Sequence, residues 1–291
     1  MRALAVLALL LLAGCTMFSS GTAPEEKIHA GIKGLTLTLD KGNLAKLSSG
    51  DSVTLYATLS NDGAADADNA VVTITPDNKF LTLTEPGTRT FSLYGKGATN
   101  PVGEQAPLRV GLKALPLGPA QENGNGQVRF DVCYGYATDA SAQVCIDPDP
   151  QSKAKKPCTM GSISLGGGQG APVAVTKVET TLATDQGHVI PTFAITLSNL
   201  GDGTPSSPGA TACGSGTYNH AVVRAWLAED PLQCNDGESA EAVFDNTRNT
   251  VRCKLVKGID AVAAYASVLR VEATYDYANK PVVSAITVVQ R

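Results

Sequence analysis

The feature that most constrains this chain is a period-two alternation that recurs about every ten residues. Leu35, Leu37 and Leu39 alternate with Thr36, Thr38 and Asp40, and SVTLYATL repeats the signature before Ser60, Asn61, Asp62 and Gly63 turn the chain. Alternation of this kind is a strand with one face buried. AVVTIT over 70–75 follows, then 80–84, 90–94 and 108–112, separated by EPG, GKGATNPVG and PLGP. Short strands at this spacing, without a helical stretch, predict an all-β antiparallel sandwich.

The pattern occurs twice. Thr58-Leu-Ser-Asn61 returns as Thr196-Leu-Ser-Asn199, each with a glycine two residues on, and Ala70-Val-Val72 returns as Ala221-Val-Val223. Asn61 and Ala70 stand nine positions apart, Asn199 and Ala221 twenty-two, so the second copy carries an insertion containing Cys213. Arg129, Asp131, Tyr134, Tyr136 and Ala137 match Arg270, Glu272, Tyr275, Tyr277 and Ala278 at one constant offset. At 291 residues the chain is long enough for two cores. The expectation is a sandwich over 31–165, a Gly-rich hinge over 166–171, and a second sandwich over 172–291.

Met1 and Arg2, an apolar run over 3–12, and Leu12-Ala-Gly-Cys15 read as an export signal over 1–14. The last four residues resemble the lipobox of exported lipoproteins, which implies a diacylated Cys15. Residues 15–30 then form the lipid-anchored tether, polar enough to act as flexible coil. Seven cysteines is an odd count, and assigning Cys15 to lipid leaves Cys133, Cys145, Cys158, Cys213, Cys234 and Cys253 for three disulfides. Disulfides belong to oxidising compartments.

Cys133 and Cys145 stand symmetrically about Asp139. A hairpin there would pair Val132 with Ile146, Tyr134 with Val144, and the two cysteines with each other. Cys145 with Cys158 is the competing pairing. Cys234 with Cys253 bridges neighbouring strands, and Cys158 with Cys213 follows by elimination.

The same hairpin would bring Asp131, Asp147 and Asp149 together, a candidate calcium site because facing carboxylates repel without a cation. No other cofactor is expected. His29, His188 and His220 have no metal-ligand spacing. Gly166–Gly170 lacks the Lys-Ser/Thr and the helix of a phosphate cradle, which leaves hinge or close backbone packing. Cys213-Gly-Ser-Gly216 has no serving base, so no enzyme is expected. Trp226, the single tryptophan, is read as core packing rather than a sugar platform.

A net charge of -4, spread along the chain, excludes a nucleic-acid face. The strand ending in Ser-Asn-x-Gly, followed by NAVVTI, resembles the CARDB-type immunoglobulin-like modules of prokaryotic surface proteins. LYGKGATNP and CYGYATDASAQVCIDPDP resemble uncharacterised secreted proteins of small-genome archaea. The resemblance implies two tandem immunoglobulin-like antiparallel β-sandwiches held at the membrane by lipid, with a structural or adhesive role. Their expected partners are other envelope proteins. A calcium- or ligand-binding accessory module is the alternative.

Overall fold

The computed structural model describes residues 28–43, 45–185, 188–209, 216–260 and 263–291. The export signal, Cys15, most of the tether and Cys213 lie outside the described residues. The first copy supplies β1 (Leu35–Leu39), β2 (Lys46–Ser48), β3 (Ser52–Asn61), β4 (Ala67–Pro76), β5 (Leu81–Leu83), β6 (Thr88–Leu93) and β7 (Gln105–Ala114). A strand of 24 residues, β8 (Asn123–Ile146), follows. The rest are β9 (Ser162–Ser164), β10 (Val173–Asp185), β11 (His188–Asn199), β12 (Thr204–Ser206), β13 (His220–Leu227), β14 (Asp230–Pro231), β15 (Gln233–Cys234), β16 (Ala240–Val243), β17 (Arg248–Lys254), β18 (Tyr265–Ala278) and β19 (Val282–Val289).

The all-β sandwich architecture stands. One sheet runs β1-β3-β7-β5, another β15-β17-β11-β10-β9, and a ten-stranded sheet built around β8, β18 and β19 supplies the facing layer in both halves. Leu55, Leu59 and Leu112 meet Val128 and Phe130 in one half, while Phe193, Ile195 and Leu197 meet Leu269 and Val271 in the other. All belong to one connected apolar core.

The expected hairpin at Asp139 does not form. Asp139 sits in the middle of β8, opposite Glu272 of β18. Alternation is preserved equally by reversing the chain and by continuing it, and Asp139-Ala140-Ser141 lacks the Asn-Gly or Gly-X chemistry of a tight turn. Along β8 every even-numbered residue from Gly124 to Ile146 is buried. The partner that satisfies this pattern comes from the far end of the chain. β18 runs antiparallel beside Cys133–Ile146, and β19 continues along the same edge beside Asn123–Phe130. β4 occupies the other edge from Val128 to Cys133.

Each copy therefore sends its last long strand into the other copy's sandwich. β8 begins next to β4 and ends beside β18, and β19 returns to complete the first sheet, where β2 caps it in parallel. The boundaries drawn at 165 and 172 are corrected accordingly: residues 134–146 lie in the second sandwich and 282–289 in the first. The Gly-rich stretch is packed rather than hinged. Gly31 N–H donates to Gly167 O at 2.7 Å, Gly170 N–H to Gly31 O at 2.9 Å, and Ala64 N–H to Gly170 O at 2.8 Å. Gly168 has φ +68, and a Cβ there would lie 2.1 Å from Gly31 O, a position only glycine fills.

At the waist between the sandwiches the repeated motifs meet. Tyr136 and Tyr275 are cross-strand partners with tilted rings, as are Tyr134 and Tyr277, while Tyr134 with Tyr136 and Tyr275 with Tyr277 pack edge to face; the centroids lie 5.4–6.4 Å apart. Tyr136 Oη donates to Asn61 Oδ1 at 3.1 Å, and Tyr277 Oη to Asn199 Oδ1 at 3.1 Å. The glycine of each Ser-Asn-x-Gly lies against the same hydroxyl: a Cβ would come within 2.0 Å of Tyr136 Oη at Gly63 and 2.3 Å of Tyr277 Oη at Gly201. The repeat thus encodes a tyrosine–asparagine corner used once per copy.

The cysteines follow from this topology. Cys133 and Cys145 lie on one extended strand twelve residues apart, about 40 Å, so the favoured pairing between them is overturned. Cys145 instead pairs with Cys158, with Cα atoms 5.7 Å apart, which also removes the pairing of Cys158 with Cys213. Cys234 and Cys253 face each other on β15 and β17 and are bonded as expected. Cys133 is itself disulfide-bonded. Disulfides of this kind mark a protein that matures outside a reducing cytosol.

Candidate ligand-binding cleft

The acidic site expected from the hairpin comes apart with it. Asp131 lies mid-strand opposite Thr73, where its carboxylate accepts from Arg129 Nε at 2.9 Å and Nη2 at 2.6 Å. Asp147 is buried at the far end of β8 and accepts from Lys156 Nζ at 2.7 Å. Asp149 donates its N–H to Asp147 Oδ1 at 3.2 Å, and its carbonyl also receives Lys156. The carboxylates of Asp131 and Asp147 each have a cation of the protein's own, Arg129 and Lys156. Among the described residues no three His, Cys, Asp or Glu side chains group to hold a metal.

A different site forms on the outer face of the second sandwich. In β13, Val223, Ala225 and Leu227 are buried, so Val222, Arg224 and Trp226 point outward. Trp226 is therefore half-buried on the surface, and the core reading is corrected by simple strand parity. Two rows of side chains cross the sheet: Trp226, Arg270 and Ser141, and beside them Arg224, Glu272 and Asp139. The Arg270 guanidinium lies 5.4 Å from the indole centroid and is held by Asp139, with Nη2 at 2.7 Å and Nε at 3.1 Å from Oδ2. A planar cation backing a tryptophan orients the ring.

Beside the indole opens a cleft of about 920 Å³, lined by Arg224, Trp226, Asp230, Gln233, Glu238 and Lys257 among others. Arg270 is not part of this lining. The rim is built on unusual backbone. Among the described residues seven non-glycines adopt positive φ, and one of them, Asp236 at 70°, lines the cleft, next to Asn235 at 46°. Such conformations cost free energy and persist where surrounding structure holds them. Cys234, next to Asn235 in the chain, is bonded to Cys253.

Charge in the cleft is nearly self-compensated. Lys257 Nζ lies 2.5 Å from Asp230 Oδ1, and Lys254 Nζ 3.2 Å from Asp236 Oδ1. Arg224 and Glu238 make no ion pair among the described residues. They leave one donor-rich and one acceptor-rich planar group beside an aromatic ring.

No family model matches the sequence. No curated protein matches it either. Among solved structures, α-2-macroglobulin of E. coli in its native conformation aligns with 45% of this chain at 14% identity and a TM-score of 0.28, and the chain spans only 8% of that protein. The secreted serine protease VesC of Vibrio cholerae aligns over 86% of this chain and 50% of its own length, at 12% identity and a TM-score of 0.19. The CupB6 tip adhesin of Pseudomonas aeruginosa aligns over 90% of this chain and 98% of its own, at 8% identity and a TM-score of 0.22. These scores lie too low to carry any inference about function, and the cleft has to be read from its own chemistry.

Removing the Cys234–Cys253 cross-link tests how far it shapes the rim. It closes a loop of 19 residues, for which chain entropy gives about 3 kcal/mol. The Cys234→Ala/Cys253→Ala double variant is expected to lose about that much in denaturant unfolding. Its single tryptophan should become more accessible to a neutral quencher before global unfolding. Unchanged quenching would show that the strands hold the rim without the bond.

Proposed function

We propose that the protein is a lipid-anchored, extracytoplasmic surface protein with a structural or adhesive role, presenting a recognition surface to other envelope components without doing chemistry. The observation that supports this reading most is the interlocked ribbon. A strand of 24 residues, about 80 Å when extended, passes through both sandwiches and is met along its length by β18 and β19. Two domains on a hinge would reorient freely; two domains sharing their longest strands form one stiff body, suited to holding a binding face at a set distance and angle. Leu12-Ala-Gly-Cys15 supplies the means of attachment, and a doubly acylated cysteine anchors stably where one chain would not.

Expression of the full chain with Cys15→Ser tests the anchor. The unsubstituted protein should partition with membranes and carry an acyl mass on its N-terminal cysteine, whereas the variant should move to the soluble fraction. Equal partitioning of the two, or an unmodified Cys15, would end this reading. A ligand-binding accessory role is the second reading, and the cleft beside Trp226 is what favours it.

A further inference from the structure

From the chemistry of its lining, we infer that the cleft beside Trp226 binds an uncharged sugar ring of a surface glycan. This deepens the recognition role proposed above and rests on it.

Three observations converge. The first is the indole, half-buried at the cleft and packed against the Arg270 guanidinium, 5.4 Å from its centroid. An aromatic face held in one orientation offers a flat apolar platform of the size of a pyranose, whose C–H groups it covers. The second is the set of planar two-point hydrogen-bonding groups around it. Arg224 presents a fork of donors, Glu238 two acceptor oxygens, and Gln233 one of each. Gln233 Nε2 already donates to Asp236 O at 3.1 Å, leaving its carbonyl as the acceptor. Vicinal hydroxyls are the ligand groups that match such forks on both the donor and the acceptor side.

The third observation is charge. With Asp230 and Asp236 matched by Lys257 and Lys254, the unmatched groups are one cation and one anion. A carboxylated or sulfated ligand would meet Glu238, and an amine-bearing one would meet Arg224. A neutral polyhydroxylated ring hydrogen-bonds to both groups without setting a like charge against either. A cleft of about 920 Å³ holds two to three such rings.

The remaining surfaces are less selective. Among the described residues no strand pairs with the outer edge of β8 beyond Cys133, and nothing on that edge specifies what would pair there.

Trp226 is the only tryptophan, so its fluorescence reports this site alone. The purified mature chain is titrated separately with three neutral probes (cellotetraose, mannotriose and N-acetylchitotriose), with trigalacturonate as the anionic probe and with chitosan trimer as the cationic one. At least one neutral probe should shift and saturate the emission, while the charged ones bind at least about tenfold more weakly. Arg224→Leu and Glu238→Gln, both on the surface, should each weaken the neutral probe about tenfold with the melting temperature unchanged. No saturable shift with any neutral probe, tighter binding of either charged probe, or binding indifferent to both substitutions would overturn the inference. Membrane partitioning of the Cys15→Ser variant reads the anchored-surface role by a separate measurement, so a failure of the glycan site is told apart from a failure of that role.

Discussion

Raising the pH above 10 should unfold the protein in one cooperative step, with tyrosinate absorbance rising as the β-sheet signal is lost. Burial pushes the hydroxyls of Tyr134, Tyr136 and Tyr275 well above the ordinary tyrosine value, and Tyr277 is pushed up to about 12, again chiefly by burial. The unfolded chain would ionise all four near pH 10. Above that pH the unfolded state therefore binds fewer protons than the folded one, and stability falls as pH rises. The contribution is fully present below pH 10 and is lost as pH climbs toward and past about 12. Each tyrosine contributes about 1.4 kcal/mol per pH unit, so four give about 5 kcal/mol per unit. Against a total of about 5–15 kcal/mol for a typical domain, collapse is expected within about one to three units. Tyr275→Phe should reduce the pH slope by about a quarter. A sheet signal intact at pH 12 with the tyrosines already ionised would show that the waist admits water and hydroxide.

The second large effect is expected at Asn61. Its side chain is fully buried and makes four hydrogen bonds: Nδ2 donates to Ala65 O at 2.8 Å and Leu93 O at 3.0 Å, while Oδ1 accepts Gly63 N–H at 3.1 Å and Tyr136 Oη at 3.1 Å. Asn61→Ala removes all four partners at a site with little access to water. Unsatisfied buried groups cost about 1–3 kcal/mol each, partly offset by local relaxation, so the variant should lose about 3–5 kcal/mol in denaturant unfolding. Asn199 occupies the equivalent position in the second copy but is only half-buried, and its side chain makes two such bonds, to Gly203 O at 2.9 Å and from Tyr277 Oη at 3.1 Å. Asn199→Ala should lose about 1–2 kcal/mol. Equal losses would mean that burial does not set the difference between the two corners.

The comparison of the two asparagines also shows what a repeat can carry. Ser-Asn-x-Gly and Tyr-x-Tyr were visible as matched strings, but their relation was not. The asparagine and the glycine meet a tyrosine hydroxyl more than 70 positions away, and nothing local connects them. Trp226 is the opposite case. The alternation of Val223, Ala225 and Leu227 was already in view, and choosing those three as the core set would have turned the indole outward. What sequence could not supply was the knowledge that Arg270 and Asp139 stand next to it, since they come from two other strands and from the two different copies.

Period-two alternation, turn residues and a doubled motif were enough to establish an all-β protein of two related sandwiches, because side-chain parity along a strand is a local property. The facing of Cys234 and Cys253 was legible for the same reason, as the two flank one short apolar run. Whether the chain turns or continues at Asp139 was decided only by tertiary structure. Both paths keep the same residues on the same face, and β18 and β19, more than 100 residues later, make the continuous strand the better-satisfied one. That single choice moved Cys145 to Cys158, parted Asp131 from Asp147 and Asp149, replaced a hinge with a shared ribbon, and set Asp139 against Arg270, the cation next to Trp226.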